Sequence, residues 1–275
     1  QILGVKRGDF VICQSLTFVG SANPILYCNA EPIFIDSETE TWNMCPLLLE
    51  KAINDSLKIN KKPKAIILVH LYGMPAKINE IKEISKKYDI PLIEDAAEAL
   101  GSNYDGIPLG TIGDFGILSF NGNKIITTSG GGALISSSFE HSKKAKFLSS
   151  QAKENTIYYQ HKEIGYNYRI SNVLAAIGLG QIEQIDKKIK IRRKNFSLYK
   201  KYLNNIEEIS FLEEPLNFYS NRWITTILVS SQNGFYKEKI IRNLRENKIE
   251  SRPIWKPMHL QPLYNKYKFY NNNSS

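Results

Sequence analysis

The sequence predicts an α/β fold built on a mainly parallel sheet, with a smaller α+β part at the C-terminal end. Three observations carry that expectation. Short apolar runs, FVIC at 10–13, PIFID at 32–36, KAIILVH at 64–70 and PLIED at 91–95, have the length and bounding of strands. Longer mixed segments lie between them, at 18–28, 46–59 and 77–89, and in the last of these Ile78, Ile81, Ile84 and Tyr88 recur near helical spacing. Strands that alternate with helices are joined by right-handed crossovers and pair in parallel.

The pattern continues with FGILSF at 115–120, then with KIITT and GGALIS, which read as two strands joined by the glycine-rich SGGG. A helix is expected over 138–152. The segment 153–171 breaks the alternation. It is polar, tyrosine-rich and too long for an ordinary connection, which marks it as a candidate functional loop. A long helix starts near Ser171, and its charge run DKKIKIRRK reads as an exposed face. Further on come a strand in RWITTILVS, a helix over 235–247 and a strand in IESRPIW. The expected division is a large domain, 1–195, and a small C-terminal domain, 196–275.

Composition narrows the function classes. Hydrophobic residues at 42% and charged residues at 23% suit a soluble globular chain of 275 residues. The net charge of +9 reads as a lysine-rich solvated surface; it is compatible with a nucleotide diphosphate as well as with nucleic acid, and charge alone does not choose. Three cysteines, Cys13, Cys28 and Cys45, form no metal-ligand spacing and read as reduced thiols of a cytoplasmic protein. The four histidines are scattered, so no metal is expected. No stretch is apolar for long enough to span a bilayer, no signal peptide is seen, and no nucleic-acid-binding motif is found, so neither membrane nor nucleic acid is expected as a partner. The start at QILGVKRGDF and the stop at NNNSS read as the ends of a fragment.

Chemistry concentrates in 94–132, EDAAEALGSNYDGIPLGTIGDFGILSFNGNKIITTSGGG. Asp95 ends an apolar strand, at the edge where open α/β sheets bind ligands. A buried aspartate there needs a partner, because an unpaired charge is costly to bury. It reads equally well as a cap for the helical AAEALG. Lys124 follows a strand and the turn NGN. It reads as an amine nucleophile able to form a Schiff base, or as a lysine that snorkels to solvent. Ser119, five residues earlier, is a phosphate ligand or a plain strand serine.

The combination EDAAEALGS, GTIGDFG and SFNGNKIITTSGGG resembles the signature of the DegT/DnrJ/EryC1/StrS aminotransferases. SLTFVGSANPILYCNAEPIFID and GYNYRISNVLAAIGLGQ extend the resemblance, which weakens beyond about 205. VHLYGMPAKINEI, ALGS, NGNKIITTSGGG and SRPIWKPMH look most like its bacillosamine-type branch. The resemblance implies a fold-type I enzyme that uses pyridoxal 5'-phosphate, with further chain before the first and after the last residue here. It implies Lys124 as the Schiff-base lysine and Asp95 as the partner of the pyridine nitrogen. Ser119 becomes a phosphate ligand, and Phe18 the aromatic that stacks on the ring, a role that ordinary core packing does not exclude. Asn167 is implied to reach the cofactor phosphate of a neighbouring subunit, and so to make a homodimer with shared active sites. Trp255, His259 and Gln261 fall in a loop near the nucleotide, where they read equally as surface residues.

Glu98 stands where many relatives carry His or Gln beside the phenolic oxygen. A carboxylate there would be repelled, so Glu98 is either protonated or turned toward another partner. The implied reaction is a two-half transamination from glutamate to a UDP-linked 4-keto-6-deoxy-2-acetamido sugar. Alternatives are a dTDP-linked keto sugar or a catalytically incomplete fragment. The dehydratases of the family carry histidine in place of the Schiff-base lysine, so Lys124 argues against them.

Overall fold

The computed structural model describes residues 1–230 and 236–272. β1 (Phe10–Gln14) leads through α1 (Val19–Tyr27) to β2 (Glu31–Ile35). α2 (Pro46–Lys58) leads to β3 (Ala65–Val69), and α3 (Ile78–Tyr88) to β4 (Leu92–Asp95). A small hairpin, β5 (Asn103–Tyr104) and β6 (Ile107–Pro108), precedes β7 (Phe115–Ser119), β8 (Gly132–Ile135) and α4 (Phe139–Ser149). After a long irregular segment come α5 (Asn172–Ile182), α6 (Ile185–Leu203), β9 (Ile209–Phe211), β10 (Phe218–Tyr219), β11 (Ile227–Val229), α7 (Tyr236–Glu246) and β12 (Phe269–Tyr270).

The central sheet has seven strands in the order β12-β2-β1-β3-β4-β7-β8. All neighbours run parallel except β7 and β8. Alternation along the strands builds two cores, because successive side chains face opposite ways. Phe10 and Ile12 of β1 pack with Ile33, Ile35, Ile66, Leu68 and Leu92 under Leu49, Ile53, Ile78 and Ile81 of α2 and α3. Val11 and Cys13 face the other side, with Phe34 and Ile67 under Ala22 and Ile25 of α1. Met258 and Tyr264 pack into that second core, and β12 joins the sheet beside β2, so the end of the described chain returns to the main sheet. The strand order reverses between β1 and β3. Ligand crevices of open α/β sheets open at such a switch point, outside the carboxyl ends of the strands.

Several expected elements differ. KIITT is not a strand. β8 pairs directly with β7, and 121–130 loops out between them, closed by Thr128 N–H donating to Phe120 O at 2.9 Å. Ile125 and Ile126 are apolar because they are buried in that loop, not because they lie in a ladder. The long helix from Ser171 is two helices, with a break at 183–184. RWITTILVS is extended only over Ile227–Val229, and IESRPIW has no regular structure. Among the described residues no helix is long and apolar enough to cross a membrane, and no group of three or more His, Cys, Asp or Glu could hold a metal.

Candidate active site

Asp95 is the last residue of β4, at the sheet's carboxyl edge. Its Oδ2 accepts the Ser21 hydroxyl at 2.6 Å, and its Oδ1 accepts the Ala97 N–H at 3.2 Å. Ser21 lies in the first turn of α1 and is itself 2.8 Å from the Thr17 hydroxyl. AAEALG is a turn and not a helix, so Asp95 caps no helix there; one oxygen closes the turn through Ala97, while the other ties β4 to α1. Glu94 points the opposite way into the core. It accepts N–H groups from Gly110, Ile112 and Gly113 and lies 3.0 Å from His70 Nε2. His70 Nδ1 accepts the Ala76 N–H, so the ring proton sits at Nε2 and is donated to Glu94. Burial pushes the Glu94 carboxyl up, but the hydrogen bonds from His70, Gly113 and Gly110 outweigh it and hold it below its ordinary value.

Lys124 lies in the loop between β7 and β8, in a turn closed by its own N–H to Asn121 O at 3.0 Å. Its side chain is only 12% exposed. Nζ is 3.5 Å from Glu98 Oε1 and 4.3 Å from the centre of the Trp223 ring. The other Glu98 oxygen accepts the Tyr72 N–H at 2.7 Å. Tyr72 holds a left-handed backbone (φ 55°) in the turn that carries this N–H. Glu98 thus turns toward other partners and is also shifted. Burial pushes its carboxyl up to about 7, against the pull of the Lys124 charge and the Tyr72 N–H, with Asp95 adding a smaller upward push.

Phe18 is the residue before α1 and is 57% exposed. Its ring lies 5.5 Å from that of Trp255, and Trp255 lies 4.9 Å from Tyr72. The structure therefore brings Phe18, Trp255, Tyr72, Glu98 and Lys124 into one neighbourhood. Ser119 ends β7, with its hydroxyl accepting the Asn121 N–H at 3.3 Å. His259 is anchored elsewhere: its Nδ1 is 2.7 Å from the Ser15 hydroxyl, and its ring stacks on Phe269 at 3.5 Å. Burial lowers its pKa below the ordinary value. Gln261 bonds back to Lys256 O at 3.1 Å. Asn167 is exposed in the long segment and bridges to Ser150. Sequence reading missed Ser21, Tyr72, Asn221 and Trp223. No local pattern marks them, since each acts on residues far away in the chain.

A mainly parallel sheet covered on both faces, with a shielded lysine and two carboxyl groups at its carboxyl edge, is the architecture of a fold-type I pyridoxal phosphate enzyme. The chain belongs to the DegT/DnrJ/EryC1/StrS aminotransferase family, which it matches over residues 1–275. EpsN of Bacillus subtilis (strain 168), named as a pyridoxal phosphate-dependent aminotransferase, is 50% identical over 270 residues, covering 98% of this chain and 69% of that protein. GDP-perosamine synthase of Escherichia coli O157:H7 is 38% identical, covering 95% of this chain and 69% of that protein. The UDP-4-amino-4,6-dideoxy-N-acetyl-beta-L-altrosamine transaminase of Campylobacter jejuni is 33% identical, covering 96% of this chain and 69% of that protein. A crystal structure of a family aminotransferase from Brucella abortus superposes with a TM-score of 0.90 at 28% identity, covering 99% of this chain and 73% of that one. The chain is a pyridoxal phosphate-dependent sugar aminotransferase.

The folded Glu98 carboxyl titrates near 7 rather than at its ordinary 4.5, so the folded chain keeps a proton that the unfolded chain releases across that window. Stability therefore falls as pH rises through it. Glu98→Gln removes the titration. The melting temperature of the variant relative to the parent should rise by a few degrees between about pH 5 and pH 8. A difference that does not change with pH would refute the shifted carboxyl.

Proposed function

We propose that this chain transfers an amino group from glutamate to a nucleotide-linked 4-keto sugar, with Lys124 as the residue that holds pyridoxal phosphate. The observation that carries the reading is the shielded Lys124 amine, set against the Glu98 carboxyl 3.5 Å away at the sheet's carboxyl edge. The residues present fit the group. There is an amine for its aldehyde carbon, and Asp95 offers a carboxylate for its pyridine nitrogen. The exposed Phe18 offers a ring face, and Ser119 a hydroxyl for phosphate oxygens. When bound, pyridoxal phosphate supplies an electron sink for the charge that develops at the reacting carbon. Asp95 would hold the pyridine nitrogen protonated, a pairing that also compensates its own partial burial. Lys124 Nζ, once free, takes and returns the proton at the donor's α-carbon. Glu98, with a carboxyl near 7, is suited to exchange a proton with Nζ at neutral pH. Trp255 stands beside Phe18 and is assigned with His259 and Gln261 to the nucleotide side of the site.

We also propose a large unit, 1–195, and a C-terminal unit beginning at 196 whose β12 adds to the large unit's sheet. The working assembly is a homodimer in which Asn167 serves the partner's cofactor phosphate. Support comes from α5, an apolar helix with no buried residue, and from the adjoining segment, where Ile157, Tyr159, Ile164 and Tyr168 are exposed. Contiguous apolar surface of this kind marks an interface.

Borohydride reduction of the loaded protein should fix the pyridoxyl mass on the peptide that contains Lys124, and Asp95→Asn should keep the tag while losing most turnover. A tag on another lysine refutes the first assignment, and full activity in the Asn variant refutes the second. Sedimentation should find a dimer that Val173→Asp with Leu179→Asp converts to monomer; a parent that is monomeric at all concentrations ends the shared-site reading.

The narrow substrate reading is a UDP-linked 4-keto-6-deoxy-2-acetamido sugar, supported by Glu98, the NGNKIITTSGGG run and SRPIWKPMH. A second reading, a GDP-linked 4-keto sugar, is favoured by the 38% identity to GDP-perosamine synthase. Recognition of one substituent is worth about 1–3 kcal/mol, so some cross-reaction is expected. In competition with UDP-, GDP- and dTDP-linked keto sugars, kcat/KM should be highest for the UDP-linked acetamido sugar. A higher value for another nucleotide overturns the narrow reading and leaves the aminotransferase reading intact.

A further inference from the structure

Lys124 is held from a part of the chain about a hundred residues away, and the loop around it does not account for that. Its Nζ is 3.5 Å from Glu98 Oε1, longer than the roughly 2.7–2.9 Å of a strong charged hydrogen bond. On another side lies the face of Trp223, with Nζ 4.3 Å from the ring centre. Trp223 is 4% exposed, so its ring is desolvated, the setting in which cation–π attraction is strongest. Its indole N–H donates to Asn123 O at 2.7 Å, the carbonyl directly before Lys124. One side chain therefore grips both the backbone that carries the lysine and the lysine's charged end.

Trp223 is itself fixed. Its backbone N–H donates to Asn221 Oδ1 at 2.8 Å. The fully buried Asn221 donates through Nδ2 to Glu98 O at 2.8 Å and Leu100 O at 3.0 Å. A Cβ at Gly73 would stand 2.1 Å from Asn221 Oδ1, so the backbone there approaches as closely as glycine permits. The Asn221–Trp223 segment thus sets the spacing between the Glu98 backbone and the Lys124 turn.

We propose that Trp223 is a positioning residue for Lys124, its ring face receiving the free ammonium and its indole N–H fixing the turn that presents it. The inference rests on the reading of Lys124 as the cofactor lysine. A lysine that alternates between holding a cofactor and moving a proton needs a resting place that attracts its charge without a rigid bond. A ring face provides this, because its attraction is broad in direction, whereas a close carboxylate would lock the amine in one geometry.

The test uses full-length protein grown with ε-13C-lysine and converted by amino donor to the form in which Lys124 is free. The Lys124 ε-CH2 signal is assigned by its loss in Lys124→Arg. It should be displaced by the indole ring current from the signals of exposed lysines. Trp223→Phe keeps a ring face and should keep part of the displacement. Trp223→Leu should lose it, and should slow the half-reaction with the amino donor about tenfold while changing cofactor affinity little. An undisplaced signal in the parent overturns the proposal even if the Leu variant does not fold. So does a Leu variant that reacts at the parental rate, or one that loses cofactor affinity and rate to the same extent. A borohydride tag on a different lysine sinks the Lys124 reading instead, whereas a tag on Lys124 with an undisplaced signal sinks this inference alone.

Discussion

Glu94 is fully shielded from solvent and carries four hydrogen-bond donors: the ring N–H of His70 and the backbone N–H groups of Gly110, Ile112 and Gly113. The donors come from the end of β3 and from the turn before β7, the two strands that flank β4 in the sheet. A buried carboxylate is tolerable only when such donors replace its lost water. The same requirement fixes the two neighbouring segments relative to β4. It leaves Asp95, one residue on, facing the opposite side at the strand's end, because side chains alternate. His70 also donates its backbone N–H to Asp95 O at 3.1 Å, and the chain then turns through the left-handed Tyr72. Asp95, Tyr72 and Ser119 therefore take their places from a group that stands outside the proposed chemistry.

On that frame a second carboxyl works in the opposite sense. Glu94 has enough donors to stay charged, whereas Glu98 has one backbone N–H and a long contact to an amine, so burial prevails. Both carboxyls are buried, and they differ in donor count. That difference leaves Glu94 fixed in charge as part of the frame and Glu98 shifted toward neutrality beside Lys124.

The exposed apolar face has a different origin. α5 is apolar on every side and buries none of its residues within the chain. A helix of that composition is stable only when something covers it. The adjoining segment, polar by composition yet rich in exposed tyrosines, continues the same surface. In the proposed homodimer a second copy of the chain would cover both, and Asn167 would serve the partner's site.

The sequence by itself determined the alternating strands and helices, because the period of apolar residues is a local property that burial imposes on each element. It also marked Asp95, Glu98, Ser119 and Lys124, which lie close together in one motif-bearing stretch. Its errors fall where apolar residues are buried without regular structure. Ile125 and Ile126 read as a strand and form a packed loop, and the run beginning at Ile224 is extended only in part. Only the tertiary structure decided what faces what. Ser21 meets Asp95, Tyr72 meets Glu98, and Trp223 meets Lys124, across separations of 74, 26 and about a hundred residues. Such pairings depend on the order of strands and the path of loops, which packing of the whole sheet selects, and no window of the sequence contains both partners with the geometry that joins them.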